Sequence, residues 1–298
     1  MTQPQQTSAY KQVDVFTSVP FLGNALGVIL DAESLAASDM QRIAAWTNLS
    51  ETAFVLPPTK AGADYRVRIF TPRSELGFAG HPSVGTAHAL LESGRIAPKA
   101  QLFQECAAGL LPMRVLGDGA HRSIFVRAPR ASERPHAAVT ETRIGAALAM
   151  RSSAGTAPRL LDLGLSWLIC DLGAEAAVRS LEPDMAAIAT LCREIGAVGV
   201  SVFGRALNAD YALAVRAFCP ADGVPEDPVT GSANAAIGAY LHASGDLDAI
   251  GDQYRVSQGR ELGRDGYIDV RVDRTSGDVE IGGQSITCID AIMNLPSG

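Results

Sequence analysis

Gly80-His81-Pro82-Ser83-Val84-Gly85-Thr86-Ala87-His88-Ala89-Leu90-Leu91-Glu92-Ser93-Gly94 and Gly231-Ser232-Ala233-Asn234-Ala235-Ala236-Ile237-Gly238-Ala239-Tyr240-Leu241-His242-Ala243-Ser244-Gly245 are two runs of equal length, each opening on glycine and closing on Ser-Gly. Both read as helices that stop at glycine, the residue that best tolerates the left-handed turn past a helix end. Both are rich in Ala, Gly and Leu and poor in charge. Neither has a polar stripe for solvent, so each is predicted to be buried on all sides. A helix of that kind needs a structure wrapped around it.

The two runs lie 151 residues apart (231 − 80). Outward from them, Val67-Arg68-Ile69-Phe70 recurs as Val215-Arg216-Ala217-Phe218 at an offset of 148 (218 − 70), and each is followed by x-Pro. Val13-Asp14-Val15 and Leu161-Asp162-Leu163 share that offset (162 − 14). The loop before the second helix is therefore three residues longer (151 − 148). Beyond the helices, Ala108-Gly109 and Gln258-Gly259 each close a strand-like run. Several anchors in register read as an internal duplication.

Alternating or β-branched runs predict strands near 13–17, 26–30, 52–56, 65–70, 101–106, 111–116 and 122–128, then 159–163, 166–172, 198–203, 211–218, 253–257, 267–273 and 278–281. Gly117-Asp118-Gly119 and Ser276-Gly277-Asp278 read as tight turns. One further helix per half is predicted, near 39–46 with Ser38 and Gln41 as a capping pair, and near 184–195. Strands that outnumber helices without strict alternation indicate an α+β class. The expected architecture is two similar domains, each a curved, mostly antiparallel sheet or barrel wrapped around its central helix. The expected limits are 1–130 and 158–298, joined by a Ser-, Pro-, Arg- and Ala-rich stretch at 131–157.

A chain of 298 residues suits two domains, and 47% hydrophobic with 19% charged residues suits a folded protein. A net charge of −7 argues against a nucleic-acid footprint. No apolar run is long enough to span a membrane, and the polar residues 1–12 lack the core of a signal peptide. The five scattered cysteines, Cys106, Cys170, Cys192, Cys219 and Cys288, suit reduced, inert thiols and a cytoplasmic location. They offer no metal-ligand spacing.

Three segments concentrate acid–base groups. Asn48-Leu49-Ser50-Glu51-Thr52-Ala53-Phe54 sets a carboxylate where a loop enters an apolar strand. Phe78-Ala79-Gly80-His81-Pro82 opens a helix with a histidine, and Pro225-Glu226-Asp227-Pro228-Val229-Thr230-Gly231-Ser232-Ala233 opens another with acids and hydroxyls. Both helix starts suit an anion such as a substrate carboxylate. Glu51, His81 and Asp227 are then the candidate proton-transfer groups. Taken singly each has a blander reading: a solvated glutamate, a packed histidine, an Asp-Pro turn. His88, His121, His136 and His242 have no comparable context.

Together with Asp14-Val15-Phe16-Thr17, Phe21-Leu22-Gly23-Asn24 and Gln258-Gly259, these strings resemble, in order and spacing, the hallmark segments of the phenazine-biosynthesis (PhzF-like) isomerase family. The resemblance implies paired diaminopimelate-epimerase-like domains, a homodimer, and an active site in the interdomain cleft. It implies Glu51 as general acid/base with His81 and Asp227 as its polar partners, and Gly80, Gly231 and Ser232 as substrate-binding positions. It also implies a biosynthetic isomerase that needs no cofactor or metal and moves a proton on a small carboxylate-bearing metabolite. A partly apolar cleft is expected to raise the proton affinity of Glu51 toward neutral pH.

Gly77, Ala25 and Asp265-Gly266 depart from the family pattern and bear on substrate identity. Diaminopimelate epimerases place a cysteine before each helix-opening glycine. Here Ala79 and Thr230 stand there, which argues against a two-thiol racemase. The alternatives are a lyase or hydrolase using the same Glu/His/Asp cluster, or a non-catalytic metabolite-binding protein.

Overall fold

The computed structural model describes residues 6–135, 141–149, 157–207 and 209–296. The chain divides into two compact units, Met1–Arg127 with Gly282–Gly298, and Ala128–Ile281.

The first unit contains β1 (Thr7–Val15), β2 (Asn24–Ile29), α1 (Ala37–Thr47), β3 (Glu51–Leu56), β4 (Tyr65–Phe70), β5 (Glu75–Leu76), α2 (Gly80–Glu92), β6 (Gln101–Cys106), β7 (Gly109–Leu116) and β8 (Ser123–Arg127). Continuing along the chain come β9 (Ser132–Arg134), α3 (Glu141–Ala147), β10 (Arg159–Asp162), β11 (Ser166–Ala174), α4 (Glu175–Arg179), α5 (Met185–Ile195), β12 (Gly199–Arg205) and β13 (Leu213–Cys219). The last elements are β14 (Val224–Asp227), α6 (Gly231–Ser244), α7 (Leu247–Ile250), β15 (Gln253–Gln258), β16 (Gly266–Val272) and β17 (Val279–Asn294).

In the first unit eight strands close a barrel. β1 pairs with β2, β2 runs parallel to β3, β3 pairs with β4, and β4 runs parallel to β6. β6, β7 and β8 form a meander, and β17 closes the ring between β8 and β1. The closure has a plain sequence cause in β4, where Tyr65, Val67 and Ile69 are buried while Arg66 and Arg68 alternate toward solvent. Closing the sheet leaves no edge and a lumen that must be filled.

α2 fills it. Every residue from Gly80 to Leu91 is buried, and the helix packs on β1, β2, β3 and β8. Its small residues permit this: a Cβ added at Gly85 would sit 2.6 Å from Leu26 and 2.7 Å from Val15. Outside the barrel, α1 covers β3 and β4 through Met40 and Ala44, which meet Ile29, Phe54 and Phe70.

The second unit repeats the scheme. β10 pairs with β11, β11 runs parallel to β12, β12 pairs with β13, β13 runs parallel to β15, and β15 pairs with β16. α6 packs on β10, β11 and β16, and α5 packs on β12 and β13 around Ile188, Leu191 and Cys192. The class is α+β, as expected.

Three details differ from the sequence reading. Residues from Gly282 onward belong to the first unit rather than to a second domain running to 298, because β17 continues to Asn294 as the antiparallel neighbour of β1. The stretch at 131–157 is not wholly linker: β9 pairs with β10, and α3 lends Ile144 and Ala147 to the second core. Ser38 and Gln41 do not cap α1; its N-cap is Ala36, without a side-chain bond, and Gln41 donates to Thr71 O. His136 lies outside the described residues.

Candidate active site

Glu51 is the first residue of β3, opposite Leu26 of β2. α1 ends at Asn48 in the left-handed region (φ 54°), which turns the chain sharply into the strand. His81 is the second residue of α2 and is buried. Its Nδ1 lies 3.2 Å from Glu51 Oε2, and the glutamate side chain is 18% exposed. His81 Nε2 is buried and meets no hydrogen-bond partner among the described residues.

Burial pushes the Glu51 carboxyl upward, but the electrostatic pull of His81 and hydrogen bonds from His81 and Ser50 outweigh it. The net direction is below the ordinary 4.5. This reverses the expectation of a raised proton affinity. Desolvation is present, yet a donor held against one carboxylate oxygen stabilises the charged form more. Glu51 is a carboxylate at neutral pH, ready to accept a proton.

The α2 start is itself held in place. Ser83 Oγ donates to Ala79 O at 2.8 Å, Gln104 Nε2 donates to Ser83 Oγ at 2.9 Å, and Tyr65 OH donates to Gln104 Oε1 at 3.0 Å. Gly80 is the buried first residue of the helix.

In the second unit, Asp227 ends β14 opposite Ala217. Thr230 Oγ1 donates to Asp227 Oδ2 at 2.6 Å. Gln258 ties this corner together: its Nε2 donates to Asp227 O (3.0 Å) and Thr230 Oγ1 (2.9 Å). Its Oε1 accepts from Thr230 N and Asn234 Nδ2, both at 3.0 Å. Asn234 Nδ2 also donates to Thr230 O at 2.9 Å, as Ser83 does to Ala79 O in α2. Gly231 is the buried first residue of α6, and Ser232 Oγ accepts from Trp167 Nε1 at 3.1 Å. Neither helix start carries a side-chain cap, so both suit a substrate anion.

The repeat makes the two units chemically unequal. At the offset of 148 Glu51 falls on Gly199, and at 151 His81 falls on Ser232 and Leu76 on Asp227. The carboxylate–imidazole pair belongs to one half and the carboxylate–hydroxyl pair to the other. Sequence reasoning gave no role to Gln258 or Trp167. The available signal was a fully polar glutamine closing an otherwise half-buried strand.

Three of the five thiols are held in the protonated, less nucleophilic form. Burial pushes Cys170 up to about 12 and Cys192 up to about 11, and Cys106 is raised as well. Among the described residues no group of three or more His, Cys, Asp or Glu could hold a metal ion. His121 is exposed, and His242 contacts Arg274 O.

The profile of the phenazine biosynthesis-like protein family matches residues 13–291. The chain belongs to this family. It is 38% identical over 289 residues to "Antisense-enhancing sequence 1" of Schizosaccharomyces pombe, covering 94% of this chain and 97% of that protein. It is 32% identical to the trans-2,3-dihydro-3-hydroxyanthranilate isomerase of Pseudomonas chlororaphis, covering 93% of this chain and 96% of that enzyme. Among solved structures it resembles the PhzF-family phenazine biosynthesis protein of Bacillus anthracis, with a TM-score of 0.83 at 26% identity over 97% and 99% of the two chains. The PhzF-family protein described here is an isomerase with the family's α+β fold. No helix among its described residues is long and apolar enough to cross a membrane.

Proposed function

We propose that this isomerase moves a proton between two carbons of a small carboxylate-bearing metabolite, with Glu51 as the proton carrier and His81 and Asp227 as its polar partners. The carrying observation is the Glu51–His81 pair at 3.2 Å with its carboxyl held below the ordinary range. The Glu51 carboxylate takes a proton from an activated carbon. The electrons left behind enter the conjugated system that bears the substrate carboxylate, and the Glu51 carboxylic acid returns the proton to another carbon of that system. Atoms and electrons balance without an oxidant, a nucleophile or a leaving group, so the chemistry is isomerisation rather than hydrolysis or elimination.

Gly80, Gly231 and Ser232, at uncapped helix starts, bind the substrate's anionic group in this reading. Asp227, fixed by Thr230, orients a polar substituent. The reaction calls for no metal or organic cofactor, and the protein acts as a cytoplasmic homodimer in a biosynthetic route.

The test begins with trans-2,3-dihydro-3-hydroxyanthranilate, the compound named for the Pseudomonas chlororaphis relative. Product formation followed by NMR, undiminished after chelator treatment and lost in Glu51→Gln, supports the reading. Turnover of this or any other small carboxylate that survives Glu51→Gln overturns it. Light scattering at micromolar concentration checks the dimer.

A further inference from the structure

Arg216 of β13 and Glu226 of β14 form a buried fork, with Nε to Oε1 and Nη2 to Oε2 both at 2.9 Å. Each side chain is 6% exposed. The remaining guanidinium nitrogen donates to Leu181 O at 2.8 Å and reaches Val178 O at 3.4 Å, and the group lies 5.0 Å from the Phe218 ring centre. All three nitrogens are engaged.

Taking two charges out of water costs about as much as their attraction returns, so such a pair is weak as a stability device. What it does supply is geometry, because a planar fork fixes direction as well as distance.

The other half of the molecule offers a control. Arg68 and Glu75, the repeat counterparts at offsets of 148 (216 − 68) and 151 (226 − 75), make the same fork at 2.7 Å twice. There the side chains are 30% and 38% exposed. The residue after Glu75 is Leu76, whereas the residue after Glu226 is Asp227. The fork is present in both halves and is sealed from water where the next residue is a carboxylate.

We propose that the Arg216–Glu226 pair is a positioning device for Asp227. It pins β14 onto β13 one residue before Asp227, while Gln258 holds the Asp227 carbonyl and Thr230 its carboxylate from the other side. Glu226, although titratable and at the centre of the motif, is consumed by the fork and transfers no proton. This inference rests on the reading of Asp227 as a group that acts on substrate.

The test compares Arg216→Met/Glu226→Leu with Asp227→Asn and the parent, using trans-2,3-dihydro-3-hydroxyanthranilate kinetics, amide hydrogen exchange and thermal melting. Removing both charges together avoids stranding either one. The double variant is expected to melt near the parent and to lose kcat by roughly ten- to a hundredfold, with KM nearly unchanged, as for a displaced catalytic group. Amides from Asp227 to Ser232 exchange faster, while those of α5 keep their protection. Arg216→Lys, which keeps the charge and loses the fork, fails to restore kcat. If the double variant does not fold, Glu226→Gln carries the same readouts with little change in volume. With Asp227→Asn inactive, a folded double variant at parental kcat overturns the proposal. With Asp227→Asn fully active, the reading of Asp227 fails instead, and unchanged exchange at 227–232 overturns the positioning role by itself.

Discussion

His81 Nδ1 stands 3.2 Å from Glu51 Oε2, joining the first residue of β3 to the second residue of α2. The contact links the barrel wall to the helix that fills it. Each partner is placed by backbone rather than by a flexible loop: Glu51 by the parallel register with Leu26, His81 by the buried turn that Ser83 and Gln104 fasten. A proton on Nδ1 satisfies one carboxylate oxygen, and Ser50 adds a further hydrogen bond to the same group.

Glu51→Gln keeps volume and shape and removes the titratable proton. We expect turnover to fall by a factor on the order of a thousand or more, near the upper range for a positioned acid–base group, with substrate affinity nearly kept. Steady-state kinetics with isothermal titration of the probe separates the two effects. Parental kcat rejects the assignment.

The same pair sets the acid limb of the pH profile. Because His81 and Ser50 hold the Glu51 carboxyl below 4.5, the free enzyme keeps its base deprotonated down to pH values below the ordinary glutamate range. The acid limb of kcat/KM is therefore expected below 4.5 in the parent. In His81→Asn it moves upward, since the desolvation that raises the carboxyl is no longer outweighed. An acid limb near neutral pH, or one that His81→Asn leaves in place, contradicts this electrostatic account.

Gln258 makes four hydrogen bonds at the α6 start while 1% exposed. Gln258→Leu removes all four bonds and takes the Gln258 acceptor away from the buried Thr230 N–H. With about 1–3 kcal/mol for that buried donor and about 0.5–1.5 kcal/mol for each further bond lost, we expect a loss of roughly 2–4 kcal/mol. Urea unfolding measures it; a loss under about 0.5 kcal/mol, typical of a surface substitution, denies Gln258 its organising role.

Much of this was legible in the sequence because it depends on period and spacing. The two charge-poor, small-residue helices, the strands around them and the α+β class follow from patterns that local sterics and burial enforce. The strings around Glu51, His81 and Asp227 were legible through their resemblance. What escaped depended on pairing over long separations. The strand expected near 278–281 runs on to Asn294, and no local signal says that residues 282–294 return to lie against β1. The depressed carboxyl of Glu51 escaped for a related reason: the resemblance names His81 as a partner, but whether its donor outweighs burial depends on a 3.2 Å contact across thirty residues that the sequence does not give. Short elements such as β5 and β14 carry too little pattern to be seen.

A second titration is built into the first barrel. Burial pushes His88 from 6.5 down to about 4, against the pull of Glu92 and with the help of Arg122 and Lys11. Between those values the unfolded chain binds a proton that the folded one refuses, so stability falls as pH drops from 6.5 to about 4 and this contribution levels off below. The slope is at most about 1.4 kcal/mol per pH unit for one proton. His88→Gln is expected to flatten it. Urea midpoints at a series of pH values decide, and an unchanged slope in the variant shows that His88 is not its source.

The central claim is that a carboxyl-borne proton at Glu51 makes and breaks bonds to carbon. Its most direct measurement is turnover of trans-2,3-dihydro-3-hydroxyanthranilate in heavy water, with chelator-treated parent and Glu51→Gln compared by NMR and mass at the product carbon. The account predicts an isomer whose new carbon–hydrogen bond carries deuterium in proportion to exchange at the Glu51 carboxyl, and no such product from Glu51→Gln. Isomerisation at the parental rate by Glu51→Gln, or turnover that forms no new bond between carbon and hydrogen, would contradict it.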